Sequence, residues 1–152
     1  MTKVQLKEEI EIELGFLEQT ISELNDLYFN LHGEIPSTKD KTAAAAFLAA
    51  FYNGIENILK RIAKYHLIQM SPGESWHIQL FKMFCTPPQD QLPELFSGNL
   101  IDTFSSYRKF RHVFFHGYGF QLEWDRMIVG IRNINIVFEQ FRSNINKYLN
   151  TL

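Results

Sequence analysis

Apolar residues recur along this chain at helical spacing. Ile10, Leu14, Leu17, Ile21, Leu24, Tyr28 and Leu31 alternate steps of four and three, which places them on one face and predicts a long amphipathic helix over residues 3–32. Gly33-Glu34-Ile35-Pro36 interrupts it, and Ser37 or Thr38 is a suitable cap for a second helix. That helix is predicted over residues 39–70, with Leu48, Phe51, Ile55, Ile58, Ile62 and Tyr65 as its seam. Gly54 lies mid-helix, at a cost of about 1 kcal/mol relative to alanine, so close packing is expected there. Ser71-Pro72-Gly73 breaks the chain again. A short helix over 74–84 follows, then an irregular Pro-rich connection and a fourth helix over 97–115, with Gly117 and Gly119 as stop signals. Asp125 or a neighbour opens the last helix, whose seam is Met127, Ile131, Ile134, Phe138, Phe141, Ile145 and Tyr148. No stretch alternates with a period of two. The expected fold is all-α: an antiparallel bundle of about four to five helices, dimeric, forming a single domain over residues 1–152.

Composition agrees with a packed domain. The chain has 152 residues, 45% of them hydrophobic and 21% charged, which excludes disorder. Its 14 phenylalanines must be packed somewhere. With one cysteine, Cys85, neither an intramolecular disulfide nor a cysteine-based zinc site can form within one chain, and Cys85 reads as a small buried filler. The first residues carry charges every few positions and do not resemble a signal peptide, and no long apolar run suggests a membrane span. A cytoplasmic location is expected.

The net charge of −2 argues against a nucleic-acid partner until it is divided along the chain. Residues 1–35 hold two bases and eight acids, residues 36–102 six of each, and residues 103–152 seven bases and three acids. The C-terminal third is thus net positive, which permits a local anion site. The acidic first helix reads as a solvated face, or as a docking surface for a basic partner.

That C-terminal third contains Tyr107-Arg108-Lys109-Phe110-Arg111-His112-Val113-Phe114-Phe115-His116-Gly117-Tyr118. Arg108, His112 and His116 form a stripe at i, i+4, i+8, with Arg111 beside it. Three readings compete. The segment is a solvated basic face; or His112 and His116 bind a metal, with His77, Asp102 or Glu123 completing the set against repulsion from Arg108 and Arg111; or it performs phosphoryl transfer on RNA. In the last case the 2′-OH is the nucleophile. Histidine, titrating near neutrality, moves protons, and arginine stabilises charge on phosphorus. Arg111 and His116 suit those tasks. Five helical residues turn through about 140°, so the two would not share a face of a straight helix. Either the helix ends before His116, for which the two glycines speak, or the site is completed across two chains.

The segment Arg111 to Tyr118 reads R-x4-H-x-Y with a polar residue after the arginine. It resembles the motif of the HEPN superfamily, and within it the HepT-like toxins. Residues 46–59, the stretch Ser71 to His77 and the stretch Tyr118 to Trp124 are similar to the same family. The resemblance implies a metal-independent ribonuclease needing no cofactor, the toxin of a toxin–antitoxin pair. It implies a homodimer with both motifs facing a shared cleft, and a minimal nucleotidyltransferase antitoxin able to transfer AMP onto the motif tyrosine. By position, Arg111 and His116 would be catalytic, His112 supporting and Tyr118 the modification target. Arg108, outside the motif, is expected either to bind a neighbouring phosphate or merely to solubilise the helix. The rival is a non-catalytic helical module that binds a nucleotidyltransferase or a nucleotide. His77 reads as a helix-surface histidine, and Phe114, Phe115 and Phe120 as core or interface.

Overall fold

A computed structural model describes residues 1–73, 75–117 and 122–152. It contains α1 (Lys3–Asn30), α2 (Thr38–Tyr65), α3 (Trp76–Met83), α4 (Asn99–His116) and α5 (Trp124–Asn150), with no strand among the described residues. The all-helical expectation holds.

The three seams become the core. Ile10 to Leu24 of α1, Leu48 to Ile62 of α2 and Met127 to Tyr148 of α5 are buried at the seam positions. Cross-helix partners show how the bundle is wound. Arg61 meets Glu9 and Glu13 while Gly54 meets Leu17, so α1 and α2 are antiparallel. Arg142 pairs with Glu18, and Asn135 exchanges hydrogen bonds with Asn25, so α5 is also antiparallel to α1. These pairs use Glu9, Glu13 and Glu18 within the fold. The acidic first helix is therefore partly a bonding surface rather than a wholly solvated face.

Most helix ends match their signals. Ser37 Oγ accepts the Asp40 N–H and caps α2. The far end of α2 differs from expectation, stopping at Tyr65 rather than at residue 70. Leu67 adopts a left-handed conformation at φ 58°, and the Ile68 N–H reaches back to the Ala63 carbonyl. This closure is normally built on glycine, so the sequence carries no warning of it.

Phenylalanine forms the cluster that seats α4. Phe104 lies among Phe51, Phe96, Tyr107 and Phe141, with ring centroids 4.8–6.3 Å from its own. The connection preceding α4 is held by Leu95 and Phe96, whose N–H groups both bond the Phe84 carbonyl, and by Asn144, which donates to the Leu95 carbonyl. Tyr107 donates to the Gly130 carbonyl at 2.6 Å, tying α4 to α5.

Close packing at Gly54 is confirmed. A Cβ there would lie 2.5 Å from Leu17 Cδ2 and 3.0 Å from Leu17 Cγ, and Leu17 is buried. Gly54→Ala gains helix propensity of about 1 kcal/mol but incurs an overpacking cost of about 1–3 kcal/mol. A net loss of about 1 kcal/mol in urea unfolding is expected, and Leu17→Ala should cost less in the Gly54→Ala background than in wild type. A more stable Gly54→Ala protein would contradict the packing.

Candidate active site

α4 presents two different faces in the motif region. Phe104, Tyr107, Arg111 and Phe114 follow steps of three, four and three, so Arg111 continues the stripe that begins with buried Phe104 and Tyr107. The stripe Arg108, His112, His116 lies beside it. His112 and His116 are exposed, with ring centroids 4.3 Å apart. Arg108 is half-buried. Its Nε is buried without a hydrogen-bond partner among the described residues, and its guanidinium lies over the Phe81 ring.

α4 does not end before His116. It runs through His116 to Gly117, which leaves in an extended conformation. A Cβ on Gly117 would stand 2.9 Å from the Val113 carbonyl oxygen, so this exit suits glycine. Arg111 and His116 therefore stay about 140° apart around one helix. Of the two routes to a working pair, early helix termination is excluded. Tyr118 and Phe120 lie outside the described residues. Phe114 packs on the core, while Phe115 is exposed and carries the Arg111 guanidinium over its ring at 5.0 Å.

Arg111 is anchored by α2. Its Nε donates to Asn53 Oδ1 and lies 3.8 Å from Glu56 Oε1. Neither Nη group has a protein partner among the described residues, which leaves the outer edge of the fork for an anion. Glu56 is 2% exposed and also meets His77 Nδ1 at 2.7 Å. The Trp76 ring lies against His77 with centroids 3.6 Å apart, and Lys60 Nζ sits over Trp76. His77 is thus not a free surface histidine. It bridges α3 to a buried carboxylate, because that carboxylate needs donors where water is excluded. Near this group, the Tyr52 hydroxyl is buried without a partner among the described residues. Burial and the Glu56 charge push its pKa far up, against the opposing pull of Arg108 and Arg111, so it stays protonated.

Sequence reading missed Asn53 and Glu56 and misassigned His77. One signal was present. Ala45, Ala49, Tyr52, Glu56, Leu59 and Ala63 form a second stripe on α2 at steps of four and three, and Glu56 is its one charge. All six are buried. The metal candidates are not assembled: among the described residues no three His, Cys, Asp or Glu side chains are grouped to hold an ion. Asp102 and Glu123 are exposed, and Glu123 pairs with Arg126. Cys85 is partly buried, and burial raises its thiol pKa.

A hollow of about 640 Å³ adjoins Arg108, walled by Phe81, Ile101 and Met83, with Lys82 and Ser105 at its polar side. It lies between α3 and α4, beside the stripe that carries the motif.

The family model described as HepT-like protein matches residues 43–152, from early α2 to the end of the chain. The chain belongs to the HepT-like family of the HEPN superfamily. No curated protein and no solved structure matches it. The matched region of this HepT-like protein contains every residue around Arg111 described above, whereas α1 lies outside it. Among the described residues no helix is long and apolar enough to cross a membrane.

Proposed function

We propose that this HepT-like protein is a metal-independent endoribonuclease, the toxin of a cytoplasmic toxin–antitoxin pair. The supporting observation is the state of Arg111: its Nε edge is held by α2 while both Nη groups lack a protein partner among the described residues. A guanidinium in that state is ready for two phosphate oxygens.

In the reaction, the 2′-oxygen of RNA attacks the adjacent phosphorus in line. The O2′–P bond forms and the P–O5′ bond breaks. Arg111 stabilises the charge that builds on the non-bridging oxygens. His116 acts in proton transfer, from the 2′-hydroxyl or to the departing O5′. Because α4 keeps Arg111 and His116 on different faces, Arg111 of one protomer works with His116 of its partner in a homodimer. His112, beside His116, supports it. Arg108 takes a neighbouring phosphate at the mouth of the α3–α4 hollow. Tyr118 is the acceptor for AMP from a minimal nucleotidyltransferase antitoxin, which would place new negative charge two residues from His116.

The purified protein is expected to cut RNA in EDTA and leave 2′,3′-cyclic phosphate ends, detected by resistance to phosphatase until acid opens the ring. Cleavage that stops on chelation and returns with added metal would overturn this chemistry. If the pure protein cuts no RNA but binds a nucleotidyltransferase, the non-catalytic reading replaces it.

A further inference from the structure

The residues that grip Arg111 do more than close the core. Glu56 is 2% exposed on a helix stripe otherwise filled by Ala, Tyr and Leu. Folding alone is served as well by an apolar residue there, since a buried ion pair rarely outperforms a hydrophobic replacement of similar volume. The carboxylate instead spends one oxygen on each of two helices. Oε2 meets His77 Nδ1 of α3 at 2.7 Å, and Oε1 faces Arg111 Nε of α4 at 3.8 Å. Asn53, one turn earlier on α2, takes the Arg111 Nε–H. The His77 ring is itself fixed by Trp76, and its Nε2 has no partner among the described residues.

From this we propose that Glu56 and His77 are positioning residues for Arg111. Glu56 and Asn53 hold the guanidinium along its Nε edge, and His77, donating through Nδ1, holds Glu56. The outcome is a pre-oriented fork whose Nη groups meet phosphate without a search over rotamers. The role of this network in catalysis rests on the ribonuclease reading. Its effect on Arg111 does not.

The test therefore reads both. By NMR, the Arg111 Nε–H cross-peak of the intact dimer should be sharp and should shift when inorganic phosphate is added. In Glu56→Gln and His77→Ala proteins it should broaden, and phosphate affinity should drop by about tenfold. In RNA cleavage, Glu56→Gln should lower kcat by about 10²-fold while KM changes little. His77→Asn restores an N–H near the Nδ1 position, so it should recover the cross-peak and most of the kcat lost in His77→Ala. An unchanged Arg111 signal and phosphate affinity in both Glu56→Gln and His77→Ala would overturn the proposal. So would a His77→Asn protein with a normal Arg111 signal but the inactivity of His77→Ala, because the imidazole would then be moving protons itself. If wild type cuts no RNA, the ribonuclease reading fails, and the Arg111 signal with phosphate still decides whether Glu56 and His77 position this side chain.

Discussion

Arg111→Ala should slow RNA cleavage by about 10³-fold or more, the loss typical when a cation facing a phosphoryl transition state is removed. His116→Ala should cost about 10²–10⁴-fold, the usual contribution of a general acid or base. Both proteins should keep wild-type helical circular dichroism. His116 is exposed, and Arg111 lies at the margin of the core with 22% of its side chain accessible. The sharper result comes from mixing. α4 holds the two residues about 140° apart, and it is helical throughout the interval. If Arg111 of one protomer serves His116 of the other, each inactive protein supplies what its partner lacks. Subunit exchange at equal concentrations should restore about a quarter of wild-type activity, since half the dimers are mixed and each mixed dimer regains one site of two. A mixture as inactive as its components would mean that both residues act within one chain. Retained cleavage by folded His116→Ala protein would move the proton transfer to another group, and His77 would be the first to examine.

Phe104→Ala should be the most damaging single truncation in the bundle. Phe104 is fully buried, and its ring packs against rings from α2, the α3–α4 connection and α5. A phenylalanine truncated in such a setting costs about 3–5 kcal/mol through lost transfer energy and the cavity left behind. For a domain of this size the melting temperature should fall by about 10 °C. Phe115→Ala is the control. Phe115 is 55% exposed, and its truncation should stay within about 0.5 kcal/mol of wild type. The comparison matters for the site because Phe104 seats α4 two turns before Arg111. A loss below about 1 kcal/mol for Phe104→Ala in urea unfolding would show that the cluster can collapse into the gap.

The sequence by itself determined the helices and their inward faces. Each seam repeats within one segment, so a local period is enough to assign it, and the seam residues Ile10 to Leu24, Leu48 to Ile62 and Met127 to Tyr148 are buried, although α2 also buries the second stripe that carries Glu56. It also carries the spacing of Arg111, His112, His116 and Tyr118, on which the family resemblance and the proposed chemistry rest. Where α2 stops was decided by tertiary structure, since Leu67 is not a residue whose type announces a left-handed turn. The surroundings of Arg111 were decided the same way. Asn53, Glu56 and His77 lie 58, 55 and 34 residues before it. They meet it or its carboxylate only because α2, α3 and α4 are rotated and shifted into one register. That register is set by how the aromatic cluster packs across helices, a property of no single segment and so invisible to any local pattern. The charge on Glu56 could be read as an anomaly within its stripe, but only packing reveals that it faces a histidine and an arginine.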